Sequence, residues 1–132
     1  MPWTLSPTVM QRVFVYGTLK RGFRLHHNMR EARFLGTGFV DGFAMYRVEW
    51  YPAIIETQDQ PGRIFGEVFE VNDDTLAILD EVEDRGILYE RFTRQVQMLS
   101  GLEGTVEALL YVYLDSIEGQ ERIHTGRFDS PD

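Results

Sequence analysis

The first patterned segment is apolar at every position: Val13 to Tyr16 read Val-Phe-Val-Tyr, with Arg12 before them and Gly17 after. A strand without a polar side meets protein on both faces, so Arg12–Tyr16 is predicted as a central strand. Leu25–Ala32 reads as a short helix. Phe34–Val48 carries aromatic and branched residues interrupted by Gly36, Gly38 and Gly42, which predicts a bent or bulged pair of strands. Tyr51–Glu56 is a short strand opened by Pro52, and Gln58–Gly62 is a turn. Gly62–Val71 holds Ile64, Phe65, Val68, Phe69 and Val71 and predicts a strand packed on both sides. Tyr89–Leu99 and Thr105–Leu114 predict an antiparallel hairpin joined through Ser100, Gly101 and Gly104.

One segment has the period of a longer helix. Asn72 is a good N-cap, and Asp73 and Asp74 suit the positive end of the helix dipole in its first turn. The helix is predicted from Asp73 to about Glu83, with Asp84 to Gly86 ending it. At about 100° per residue, Leu76, Ile78, Leu79 and Val82 sweep one arc. Glu83 falls inside that arc, Asp80 lies at its edge, and Glu81 and Asp84 point outward. A glutamate in an apolar stripe loses hydration, so it either finds partners or has its pKa raised toward neutrality, and a raised pKa is what a general base requires. The same pattern also allows a helix ending at Glu83 with its carboxylate in solvent. Glu67 shares a strand face with Phe65, Phe69 and Val71 and reads as structural, paired with an arginine or set at an edge.

Many strands with one well-formed helix predict an α+β fold, a small mixed, barrel-like sheet with the helix packed against it. The boundaries read as an N-terminal arm over 1–11, a single domain over 12–115 and a polar tail over 116–132.

Composition narrows the chemistry. The chain has 132 residues, enough for one core without staples. It contains no cysteine, and its histidines, His26, His27 and His124, lack neighbours at metal-ligand spacing, so neither a metal nor a thiolate nucleophile is expected. A net charge of −8 opposes nucleic acid as a partner. Lys20, Arg21 and Arg24 are a local exception that either attracts a small anion or forms a solvated loop. No run is apolar enough to span a membrane and the N-terminus lacks a signal-peptide core, so a cytoplasmic protein is expected. The Gly17-to-Gly22 spacing imitates a phosphate loop without the following Lys-Ser/Thr pair, and no serine or threonine sits in a triad context. Backbone N–H groups after Gly17 suit a carboxylate, a phosphate or an oxyanion, although many buried strands end in a glycine turn with no chemistry attached.

In order along the chain stand Tyr16-Gly17-Thr18-Leu19, Tyr51-Pro52, Gly66-Glu67-Val68-Phe69-Glu70-Val71, Leu79-Asp80-Glu81-Val82-Glu83 and Tyr89-Glu90-Arg91. This succession resembles the γ-glutamylcyclotransferase-like family, in particular its γ-glutamylamine branch. The resemblance covers roughly residues 12 to 114. It implies a cofactor-free reaction on a small γ-glutamyl substrate, in which the substrate's α-amine attacks its own γ-carbonyl to give 5-oxoproline and a free amine. It also implies that Glu83 is the catalytic acid/base, that Tyr16, Gly17, Thr18 and Leu19 form the substrate-binding segment, and that Tyr89 lines the pocket. Family members often carry glycine directly after the catalytic glutamate, where this chain has Asp84. The other function class is a non-catalytic module on the same fold that captures a small anion or a partner, and Glu83 is the residue that separates the two.

Overall fold

The computed structural model describes residues 10–29 and 31–129. Most of the expected N-terminal arm, residues 1–9, lies outside the described residues. The elements in order are β1 (Gln11–Val15), a 3-10 turn (His26–Met29), β2 (Arg33–Val48), β3 (Tyr51–Glu56), β4 (Gly62–Val71), α1 (Asp73–Val82), β5 (Tyr89–Met98), β6 (Thr105–Tyr113) and β7 (Glu121–Arg122).

The strands follow the order β3-β2-β4-β1-β6-β5, and β5 pairs back onto β2 through Gly38 with Met98 and Phe39 with Gln97. The pairing closes β2, β4, β1, β6 and β5 into a barrel whose ladders are antiparallel except β1 with β6. Closure leaves these strands without open edges. The α+β, barrel-like expectation is therefore the observed fold.

The apolar run in β1 has its cause here. Phe14 and Tyr16 pack with Ile64, Val68, Val96 and Leu110 in one core cluster, the barrel interior. Val13 and Val15 pack with Phe69, Leu76 and Leu79 in a second cluster between the barrel wall and α1. The strand is apolar on both sides because each side faces a different core.

Three expectations change. Phe34–Val48 is not a pair of strands but part of one strand of 16 residues, bent at register shifts beside Gly36 and Gly42. Glycines marked the bends correctly, but a bend within a strand and a turn between strands share that signal. At Gly38 a Cβ would lie 2.6 Å from the Gln97 carbonyl oxygen, so glycine lets β2 and β5 meet at the closing seam. Leu25–Ala32 yields only the 3-10 turn. Finally, the segment after Asp115 is polar in composition but folds back on the barrel. There β7 pairs with Tyr46 and Arg47 of β2, the Ile123 N–H donates to the Met45 carbonyl (2.8 Å), and Phe128 is fully buried in the barrel cluster.

In α1, the Asn72 side-chain oxygen accepts from the Thr75 N–H at 2.8 Å, which is the predicted cap. The helix buries Thr75, Leu76 and Leu79 and leaves Ile78 exposed. Its contact stripe is narrower than the sequence arc because a convex barrel wall touches only part of a helix surface. Among the described residues no helix is long and apolar enough to cross a membrane.

Candidate active site

A cavity of about 170 Å³ opens where β1 ends. One wall is the loop segment Tyr16–Leu19, and Trp50, Tyr51 and Pro52 enter from the β2–β3 corner. Val82 and Glu83 come from the end of α1, Leu88 and Tyr89 from the start of β5, and Tyr111 from β6. The six residues singled out from sequence, Tyr16, Gly17, Thr18, Leu19, Glu83 and Tyr89, thus border one space.

Gly17 earns its place differently from the sequence argument, which rested on a sharp turn. A Cβ on Gly17 would sit 2.5 Å from Pro52 Cγ, so the glycine permits close approach to β3. The left-handed residue of this loop is Gly22, at φ 81°. The loop's carbonyls are occupied: the Lys20 N–H donates to Gly17 (3.0 Å), the Leu25 N–H to Thr18 (2.8 Å), and His26 Nδ1 lies 2.9 Å from the Leu19 oxygen. Among the described residues, the N–H groups of Gly17, Thr18 and Leu19 meet no protein acceptor. Unpaired backbone donors of this kind can accept an anion as partner.

Glu83 is the C-cap of α1, and its N–H donates to the Leu79 carbonyl at 2.9 Å. Its side chain is half-buried and faces the cavity. Burial pushes the carboxyl from the ordinary 4.5 up to about 7. Of the two outcomes the helical pattern allowed, the side chain lies closer to the buried one, at the cavity wall rather than free in solvent. Asp84 follows at φ 52°, a left-handed conformation that glycine adopts freely and aspartate tolerates. The aspartate at this position therefore ends the helix in the conformation that a glycine would also adopt.

The two predicted tyrosines are walls with satisfied hydroxyls. Tyr16 donates to the Tyr111 carbonyl at 2.6 Å and Tyr89 to the Pro52 carbonyl at 2.8 Å. Burial, with the nearby Glu83 carboxylate as a further cause, pushes both phenols well above their usual range, so both remain neutral donors. Tyr89 thereby ties β5 to β3 across the cavity.

Sequence reasoning did not single out Trp50, Leu25, Leu88 or Tyr111 as cavity walls. Isolated apolar residues in strands and turns look the same whether they face a core or a cavity. Of the basic trio, Lys20 donates to the Phe128 carbonyl (2.7 Å), and Arg21 pairs with Glu67 through its backbone N–H (2.9 Å) and its Nε (3.3 Å). Arg24 alone adjoins the cavity wall, its guanidinium 4.5 Å from the centroid of the Trp50 ring. Glu67 has the arginine partner expected of a structural residue.

A sequence profile described as gamma-glutamyl cyclotransferase, AIG2-like, matches residues 13–130. The gamma-glutamylcyclotransferase family protein YtfP of Escherichia coli K12 is 32% identical over 115 residues, which cover 87% of this chain and 93% of that protein. Gamma-glutamylaminecyclotransferase A of Danio rerio is 31% identical over 115 residues, covering 80% of this chain and 70% of that protein. The crystal structure of an AIG2-like protein from Mus musculus superposes with a TM-score of 0.73 at 29% identity, covering 92% of this chain and 96% of that one. These matches take in the barrel, the helix and every wall of the cavity, and they establish that the chain belongs to the AIG2-like gamma-glutamyl cyclotransferase family of enzymes.

Proposed function

We propose that this enzyme cyclises the γ-glutamyl part of a γ-glutamyl-amine to 5-oxoproline and releases the free amine, with Glu83 as its acid/base. The observation that carries the reading is a cavity-facing carboxylate raised to about 7, on a cavity also lined by Gly17 to Leu19, whose N–H groups meet no acceptor among the described residues. Near neutral pH such a group is present in both protonation states, so it both accepts and returns a proton.

In the proposed step Glu83 takes a proton from the substrate's α-ammonium, and the freed amine attacks the γ-carbonyl carbon. The carbonyl oxygen becomes an oxyanion. As the bond between the γ-carbon and the departing nitrogen breaks, Glu83 delivers its proton to that nitrogen, collects the extra proton of the new ring nitrogen and passes it on to the released amine, which departs as its ammonium. The loop N–H groups suit either the oxyanion or the substrate's α-carboxylate. Ring closure is intramolecular, so much of the protein's task is to hold the glutamyl arm folded in a water-poor space.

The test is incubation with γ-glutamyl-amines, γ-glutamyl dipeptides and glutathione, with mass spectrometry for 5-oxoproline. Glu83→Gln should lower turnover by about 10²- to 10⁴-fold and leave substrate affinity within a few-fold, while Glu81→Gln on the exposed face of the helix leaves turnover near the parent value. Parental turnover in Glu83→Gln, or free glutamate in place of 5-oxoproline, would overturn the reading.

A further inference from the structure

The last turn of α1 is gripped by a polar cluster that the proposed chemistry does not use. Asp80 lies three residues before Glu83. Its Oδ1 accepts from two different strands, from Arg91 Nε of β5 at 2.8 Å and from the Tyr111 hydroxyl of β6 at 2.7 Å. Its Oδ2 lies 3.3 Å from a terminal nitrogen of Arg85, whose backbone N–H also donates to the Asp80 carbonyl at 2.9 Å. Arg85 Nε is in turn paired with Glu90 of β5 at 2.9 Å. The side chains of Asp80 and Arg91 are only 21% and 19% exposed, so this is no loose surface pair. Tyr111 is also a wall of the cavity, and its carbonyl receives the Tyr16 hydroxyl. The contacts therefore run from the helix end through Asp80 and Tyr111 to the residue that opens the binding loop.

We infer that Asp80, locked by Arg91 and Tyr111, is the positioning residue that sets where the Glu83 carboxylate stands relative to the Gly17–Leu19 loop. The apolar contacts of Leu76 and Leu79 hold α1 on the barrel, but burial of hydrocarbon is non-directional and leaves rotation and sliding weakly fixed. Charge-assisted hydrogen bonds from two strands onto one oxygen are directional. Glu83 is the first residue past the helix, so its direction follows the seating of the turn that Asp80 holds. Asp80 touches no reacting atom. Its effect is exerted through Glu83, and the inference rests on the acid/base reading of that residue.

The experiment is steady-state kinetics on Asp80→Ala, Asp80→Asn, Arg91→Ala and the Asp80→Ala/Arg91→Ala pair, each checked for folding by circular dichroism. Glu83→Gln is run beside them. Misplacing a reacting group by about 1 Å costs up to roughly 10²-fold. Asp80→Ala and Arg91→Ala should each lower kcat by about 10- to 100-fold with KM within about 3-fold. The double variant should be no slower than the slower single one, because both substitutions open the same clamp. Asp80→Asn keeps an acceptor oxygen for Tyr111 and recovers part of kcat, and it reports on the clamp if an alanine variant does not fold. Parental kcat in folded Asp80 variants, or independent multiplying losses in the double variant, would overturn the inference. An inactive Glu83→Gln beside fully active Asp80 variants refutes the clamp alone, whereas an active Glu83→Gln refutes the acid/base reading itself.

Discussion

At the scale of one carboxyl group, the proposed acid/base role of Glu83 implies a cost in stability. Its folded-state pKa is raised from 4.5 to about 7, so in that interval the folded protein binds a proton more tightly than the unfolded chain does. The stabilisation is fully present below about pH 4.5 and is lost as pH rises through about 7. At pH 7 to 8 the ionised group costs at most roughly 3 kcal/mol, less where cavity water reaches it. Glutamine has the shape of the protonated acid without the charge. Glu83→Gln should therefore melt at a temperature equal to or above the parent at pH 7 to 8, with the gap closing toward pH 4.5 in thermal melts. A loss above about 2 kcal/mol at pH 7 would instead mark Glu83 as a structural anchor. Asp84, with its left-handed backbone, ends the helix directly after Glu83.

At the scale of elements, the site depends on how closely the loop after β1 approaches the start of β3. Gly17 lies against Pro52, and Pro52 also takes the Tyr89 hydroxyl, so three elements meet at one proline. A methyl group on Gly17 cannot fit without separating the loop from β3. Gly17→Ala should lower kcat/KM by about 10²-fold while the protein stays folded, because the displaced loop carries the free N–H groups. Kinetics beside a melting curve check this, and parental kcat/KM would mean that the loop's position is not critical. This contact was hidden in the sequence, where Gly17 and Pro52 stand far apart in two separate motifs and nothing along the chain shows that they touch. The capped helix, by contrast, was legible, since a cap and a 3.6-residue period are set by neighbours along the chain.

The whole molecule is a barrel closed by distant segments. Phe128, fully buried, fills the same core cluster as Phe14, Ile64 and Leu110, and its carbonyl receives Lys20 from the loop beside the cavity. A segment that reads as a polar tail is thus built into the core. Phe128→Ala should destabilise the protein by about 3 to 5 kcal/mol in denaturant unfolding, and a loss under about 1 kcal/mol would show that the core closes without it. One aromatic residue in a polar stretch has no periodicity, which is why the sequence did not reveal this role.

What the sequence by itself determined is whatever depends on near neighbours or on a short motif. That includes the doubly apolar β1, the capped α1 with Glu83 inside its apolar arc, the β5–β6 hairpin, and the succession of motifs that marks the family. Tertiary structure alone decided which side of each apolar residue faces a core and which faces a cavity, and that β2 runs unbroken. It also decided that Glu83 lies half-buried against a cavity rather than fully in water, and that Asp80 finds Arg91 and Tyr111 on two other strands. The physical reason is that desolvation and directional hydrogen bonds depend on groups brought together by barrel closure, and a linear pattern carries no record of those distances.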